Sequence, residues 1–353
     1  MSELRIASGV ASPTPSAQRR SGGPIFIGGL DRSGKTTMRA FLASHPNIAI
    51  PAVGSNMETY FYRRYGDLSK PANLDRCLDA MLRYKHVRFL QPDEERIRSE
   101  FANGPPTYAH LFSLFLIHHA EREGKPRWGA QSGLIERYAD ELFEAYPGVK
   151  VIHMVRDPRD RYEASLALWP DGRGRAGGAT ARWRYSTSLA ERNIGRYPSG
   201  YLIVRFEDLV TEPEHTLRDV CAFLDERFDP AMLAMPGAPK HRDLLAAGSA
   251  AGSAATPVSG AFVGGFHGKV PAEELAFIQL HAGRRMRAFG YTPEPSGMTA
   301  ADRVRFAILG WPSQFARMAG WRTAEAFHQR LPRLVPRRPA SKMVLGPDRQ
   351  GST

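Results

Sequence analysis

Residues 24–44 read PIFIGGLDRSGKTTMRAFLAS, and this stretch decides the fold. PIFIGG has the pattern of a short buried strand, a glycine-rich turn follows it, and Met38, Phe41 and Leu42 then recur at helical spacing. Within it, residues 29–36 (GLDRSGKT) satisfy the spacing G-x-x-x-x-G-K-[ST] after a strand and at the opening of a helix, the context such a loop requires. Backbone N–H groups in such a loop point inward, its glycines let the chain approach an oxyanion, and the helix N-terminus adds partial positive charge. Lys35 would supply a full charge, and Thr36 or Thr37 a hydroxyl. The bland alternative is a tight strand-to-helix turn with an exposed lysine; spacing and context together favour an anion site.

Outward from the loop, NIAIP reads as a second strand. Residues 149–155 (VKVIHMV) and 201–206 (YLIVRF) are continuous apolar runs of the kind buried on two faces in a parallel sheet. Helical patterns occupy 108–123, 134–146, 179–197 and 272–289, and Thr211 with Glu214 forms a capping-box signature before a further helix carrying Leu217, Val220, Cys221 and Leu224 on one face. Alternating strands and helices predict an α/β fold, a P-loop-type doubly wound parallel sheet flanked by helices, with a helical C-terminal extension. The expected organisation is a disordered lead over 1–23, one domain over 24–299 containing a mobile small-residue loop at 246–265, and a basic amphipathic extension over 300–353.

The chain has 353 residues, 42% of them hydrophobic, and only two cysteines, Cys77 and Cys221, which excludes a disulfide-stapled miniature. No stretch is long and apolar enough to span a bilayer, and the first 23 residues lack the apolar core of a secretory signal, so the expectation is a cytoplasmic protein. The formal charge of +12 implies an anionic partner. Residues 301–340 carry eight arginines against Asp302 and Glu325, half of the excess, and the remainder is only mildly basic, so no nucleic-acid partner is expected.

The loop geometry alone serves ATP, GTP and 3′-phosphoadenosine 5′-phosphosulfate. A nucleoside triphosphate brings Mg²⁺, and Asp157, Glu207 and Asp208 are the acids placed after strands to hold it. Yet Asp157 lies inside RDPRDR, where a phosphate-binding arginine cluster explains the crowding better than a metal carboxylate does.

The phrase PIFIGGLDRSGKTTMRAFLASHPNI resembles the 5′-phosphosulfate loop of the sulfotransferases, VIHMVRDPRDRYEASL resembles their 3′-phosphate segment, and YLIVRFEDLVTEPEHTLRDVCAFL is similar to the strand and helix that follow in that family. The matches come in the family's order, cover roughly 24–290, and are most like the bacterial branch whose loop reads R-S-G-T-T. The resemblance implies a sulfotransferase that moves a sulfuryl group from 3′-phosphoadenosine 5′-phosphosulfate to a hydroxyl of a small-molecule, glycan or glycolipid acceptor, with no metal required. Arg32, Ser33, Gly34, Lys35, Thr36 and Thr37 would hold the 5′-phosphosulfate, Arg156 and Ser165 the 3′-phosphate, Phe206 would lie beside the adenine, and Lys269 in GGFHGK would close over the 3′-phosphate. The chain departs from the pattern in three places: Lys35 replaces a threonine, Ala164 rather than Ser165 has the usual spacing from Arg156, and Gln131 stands where many members have lysine.

In-line sulfuryl transfer needs a cation for the leaving oxygen and a base for the hydroxyl proton. Lys35 and Arg32 are the cations, and Glu58, soon after the second strand, is the candidate base; a surface glutamate on an amphipathic helix is the alternative. His45, His118, His119 and His153 read as structural. In 301–335, Phe306, Leu309, Phe315, Met318, Trp321 and Phe327 interleave with arginines, and Pro312 should divide the segment into two helices. Both peripheral attachment to an anionic membrane surface and packing on the domain fit that pattern. Two other functions stay open at this point: a P-loop small-molecule kinase using Mg-ATP, and a nucleotide-gated membrane-surface adaptor without catalysis.

Overall fold

The computed structural model describes residues 22–166, 175–239, 262–331, 334 and 339–344. The expected lead up to residue 21, the expected loop from 246 to 261 and the last nine residues lie outside the described residues. Five strands, β1 (Ile25–Gly29), β2 (Ile48–Ala49), β3 (Arg127–Gln131), β4 (Lys150–Val155) and β5 (Tyr201–Arg205), form one parallel sheet in the order β2-β3-β1-β4-β5. Adjacent strands β1 and β4 lead the chain in opposite directions across the sheet, β1 toward β2 and β4 toward β5. The crevice beyond their carboxyl ends is therefore the switch point at which such sheets bind ligands.

Period-two alternation fills both faces. Ile25, Ile27, Ile152, Met154, Leu202 and Val204 pack with Met38, Phe41 and Leu42 of α1 (Lys35–Ala43), while Phe26, Val151, Val155, Tyr201 and Ile203 pack on the other side. Because both faces are covered, these strands read as unbroken apolar runs. β3 was not anticipated: RWGAQ has only Trp128 and Ala130 as apolar residues, and it pairs so closely with β1 that a Cβ on Gly129 would lie 2.6 Å from the Ile25 carbonyl.

The other helices that matter here are α2 (Met57–Tyr60), α3 (Tyr108–Arg122), α4 (Pro158–Leu166), α5 (Ala176–Arg196), α6 (Phe206–Thr211), α7 (Pro213–Phe223), α8 (Ala272–Ala288), α9 (Ala300–Arg305) and α10 (Trp311–Arg330). Two local expectations are corrected. The 134–146 helix is broken, because Leu134 adopts φ 59° and a 3-10 turn, Ile135–Tyr138, precedes a short helix, Ala139–Ala145. The capping box is absent: α7 starts at Pro213 with Glu212 before it, and the Thr211 hydroxyl instead donates to the Glu207 carbonyl at 2.9 Å. Cys221 is buried with Leu217, Val220 and Leu224, as its helical face predicts.

The C-terminal segment packs on the domain. α9 runs through a π turn, Phe306–Gly310, into α10 with helical dihedrals throughout, so the two helices expected about Pro312 are joined by the wider turn just before it. At the crossing of α10 with α5, Gly177 meets Gln314: its N–H donates to Gln314 Oε1 at 2.8 Å, and a Cβ there would lie 1.9 Å from the Gln314 carbonyl oxygen. A buried ion pair, Arg137 to Glu325 at 3.0 Å, ties α10 to the segment after β3. Val304, Ile308 and Leu309 stay exposed. No helix among the described residues is long and apolar enough to cross a membrane.

Candidate active site

The loop between β1 and α1 turns on three residues with positive φ: Gly29 at 106°, Arg32 at 67° and Gly34 at 93°. Gly34 is required twice over, since a Cβ there would meet Phe206 Cδ2 at 2.4 Å. Ser33 Oγ donates to the Leu30 carbonyl at 2.6 Å. The Lys35 ammonium is buried and turned inward, donating to the Gly29 carbonyl at 2.8 Å and to Asp31 Oδ1 at 3.2 Å. Thr36 is exposed and Thr37 buried. Asp31 is held below the usual carboxylate range chiefly by Lys35, against the effect of burial, with help from Arg161 and Arg182.

A buried polar cluster fixes the loop from beneath. Glu136 Oε2 accepts the Gly29 N–H at 3.0 Å, Glu136 Oε1 accepts the Ser186 hydroxyl at 2.5 Å, and His153 hydrogen-bonds Ser186 at 3.0 Å and Tyr201 at 2.6 Å. Burial works to raise the Glu136 carboxyl, but His153, Ser186 and the N–H donors hold it below its ordinary value. Burial also depresses the His153 imidazole. His153 is thus structural, as its apolar strand suggested; His45, bonded to the Arg227 carbonyl at 2.9 Å, lies at the far end of α1.

Across the crevice, the segment after β4 brings Arg156 to the loop. Its guanidinium lies 4.5 Å over the Phe206 ring and donates to the carbonyls of Arg32 at 3.3 Å and Phe262 at 2.8 Å. Arg32, Gly34, Arg156 and Phe206 therefore form one cluster, with the Phe206 ring buried between Gly34 and Arg156. Asp160 accepts the N–H groups of Gly264 and Phe266 at 2.8 and 3.0 Å, which seats the 264–269 segment on α4.

Other expected residues are placed differently. Ser165 donates to the Arg161 carbonyl at 2.8 Å and lines a cleft of about 890 Å³ that also holds Gly29, Leu30 and Asp31 but not Arg156. Lys269 is exposed and pairs with Glu163 at 3.3 Å. Glu58 is buried, and burial pushes its carboxyl up to about 7, yet it lines a separate cavity of about 680 Å³ with Tyr62, Tyr108 and Tyr146. A third cavity links the two, sharing Thr59, Tyr60 and Arg137 with the loop cleft and Tyr62 and Tyr138 with the Glu58 cavity. Sequence reasoning missed the individual importance of Arg161, although it noted the RDPRDR cluster. Arg161 is buried in the cleft wall, donating to the carbonyls of Asp31 at 3.2 Å and Ala179 at 3.3 Å.

The three acids considered for a metal are all occupied. Asp157 is gripped by Arg159 through its backbone N–H, Nε and Nη2 at 2.7–3.0 Å. Glu207 accepts the Asp157 N–H and the Tyr291 hydroxyl at 2.9 and 2.8 Å, and Asp208 pairs with Arg205 at 3.4 Å.

The profile of the sulfotransferase family matches residues 24–230. The protein-tyrosine sulfotransferase of Drosophila melanogaster is 24% identical over 219 residues, 59% of this chain and 39% of that protein, so the chain spans about two fifths of the relative's length. Among solved structures, the sulfotransferase domain of the Synechococcus PCC 7002 olefin synthase gives a TM-score of 0.44 at 22% identity, covering 63% of this chain and 81% of that one. The sulfotransferase domain from the curacin biosynthetic pathway gives 0.44 at 18% identity, covering 78% and 100%. With its loop, its parallel sheet and a family match over more than half its length, the chain belongs to the sulfotransferase family.

Proposed function

We propose that the protein transfers a sulfuryl group from 3′-phosphoadenosine 5′-phosphosulfate to the hydroxyl of an acceptor. The observation that carries this reading is the meeting of two cationic elements at the switch point, the loop with Lys35 and the Arg156 guanidinium 3.3 Å from the Arg32 carbonyl. One element suits the 5′-phosphosulfate and the other the 3′-phosphate, and backbone N–H groups at the start of α1 would meet the 5′-end. Asp157, Glu207 and Asp208 are each engaged by protein donors, which weighs against the Mg-ATP kinase reading.

In the transfer, the acceptor oxygen forms a bond to sulfur while the bond from sulfur to the 5′-phosphate oxygen breaks, that oxygen leaving with the electron pair. Lys35 would shift from the Gly29 carbonyl and Asp31 to the departing oxygen. The acceptor proton reaches Glu58 only when the hydroxyl extends into the neighbouring cavity; the carboxyl held near 7 suits a base there.

The test is equilibrium binding of adenosine 3′,5′-bisphosphate and of the 5′-monophosphate without Mg²⁺. Wild type should prefer the bisphosphate, and Arg156→Ala should lose most of that preference. An unchanged ratio in the variant would remove Arg156 from the 3′-phosphate, and binding that required Mg²⁺ and a triphosphate would restore the kinase. Peripheral membrane contact is a second proposal, favoured by the exposed Val304, Ile308 and Leu309 beside Arg303 and Arg305. Co-sedimentation with phosphatidylserine vesicles, lost in Ile308→Ser/Leu309→Ser, would support it, and no co-sedimentation would end it.

A further inference from the structure

The loop cleft has a wall that the family-matched segment does not supply. Residues 24–230 carry the match, whereas Arg317, Trp321 and His328 of α10 line the same cleft as Gly29, Leu30 and Asp31. Arg137, Arg161, Arg175 and Arg182 line the same cleft. Among the described lining residues Asp31 is the sole carboxylate, and Lys35 already holds it.

Asp31 thus faces Lys35, Arg161 and Arg182 together, one described carboxylate in the lining against several guanidinium groups. Arg137 has Glu325 as its partner, but its Nε finds no hydrogen bond, and the side chain is buried. Arg161 is buried too: it donates only to carbonyls in its described hydrogen bonds, and its Nε is likewise unpartnered. Burial first, and then the facing Arg182, push its guanidinium down to about 10. The Arg182 guanidinium lies 5.9 Å over the Trp321 ring, joining α5 to α10 at the rim. Guanidinium groups gathered in a partly closed cavity repel one another, and a bound anion relieves both the repulsion and the missing hydrogen bonds. On the donor reading its two anionic ends belong to Lys35 with the loop turn and to Arg156, and neither Lys35 nor Arg156 lines this cleft.

We propose that the acceptor is a small hydroxyl compound that itself bears an anionic group, a carboxylate, sulfate or phosphate, held by Arg182 and Arg317 with an apolar or ring surface on Trp321. α10 is then the element that sets acceptor specificity. The proposal deepens the sulfuryl-transfer reading and rests on it.

The experiment is calorimetric titration of the full chain, saturated with adenosine 3′,5′-bisphosphate, with 4-nitrophenyl glucuronide, 4-nitrophenyl phosphate and the neutral 4-nitrophenyl glucoside. A charged probe should bind about tenfold or more tighter than the glucoside, the size expected of a charge-assisted contact. The glucuronide and phosphate arms tell a carboxylate from a phosphate site. The preference should vanish in Arg182→Ala/Arg317→Ala while the bisphosphate affinity stays at the wild-type value. Arg317 is exposed, so Arg317→Gln alone keeps the fold and should remove part of the preference. Equal binding of the glucoside, no binding of either charged probe, or a preference that survives the double substitution would overturn the proposal. If the bisphosphate fails to bind while unliganded protein keeps the arginine-dependent preference, the donor reading falls and the basic subsite stands.

Discussion

Lys35 is the residue on which turnover should depend most. Its ammonium is buried and held in reserve by the Gly29 carbonyl and Asp31. Lys35→Ala should lower single-turnover transfer on the order of a hundredfold or more, with a smaller effect on bisphosphate binding, because the charge is needed most where the leaving oxygen develops its own. Gly34→Ala should fail differently. A side chain at φ 93° costs about 1–2 kcal/mol and also strikes Phe206, so the melting temperature and donor affinity should fall together. Glu58 makes a prediction about pH. Its carboxyl is raised from 4.5 to about 7, so between those values the folded chain binds more protons than the unfolded one, and stability drops as pH rises. Glu58→Gln should therefore stabilise the protein at pH 8 relative to pH 5 in parallel melts; an equal effect at both would show the carboxyl to be solvated. The loop residues were legible because their meaning is local: spacing, glycine and a flanking strand. Which cavity Glu58 lines was not legible, because a four-residue helix places Thr59 and Tyr60 in the loop cleft and Glu58 in the neighbouring cavity, which spacing from a strand does not encode.

Among the elements, β1, β4 and β5 could be read from composition because burial on both faces demands unbroken apolar runs. β3 could not. Its identity rests on the close approach of Gly129 to the β1 backbone, a tertiary demand that leaves no apolar signature. The break in the 134–146 helix leaves no trace in the pattern, because Leu134, Tyr138 and Leu142 keep a spacing of four although Leu134 is left-handed and a 3-10 turn follows it. For the C-terminal segment, one amphipathic pattern served two destinations, and only the seat offered by Gly177 shows where α10 lies. Gly177→Ala would force a Cβ against the Gln314 backbone, and overpacking of this kind costs about 1–3 kcal/mol. Hydrogen exchange should show α10 loosening ahead of the sheet in that variant, and unchanged protection of α10 would mean that the contact carries no strain.

For the molecule as a whole, the cluster under the loop ties stability to acid. Burial depresses His153 below its ordinary 6.5, so the unfolded chain takes up that proton first and stability declines as pH falls below about 6.5. Glu136, held below its ordinary 4.5, adds a loss of the same sign at lower pH. Urea midpoints should fall from pH 7 to pH 4, and more steeply in wild type than in His153→Asn; a flat profile would count against a neutral buried imidazole. The clamp of α10 on α5 has a practical corollary. Cutting the chain at residue 299 would strip Arg317, Trp321 and His328 from the loop cleft, uncover the main chain at Gly177 and strand Arg137 without its counter-charge, whereas a cut at 230, where the family likeness stops, would also remove the core helix α8. On the reading that α10 carries the acceptor wall, the fragment ending at 299 keeps Lys35 and Arg156 in place and still loses turnover, so a silent assay of it would report a missing surface and not a missing catalyst.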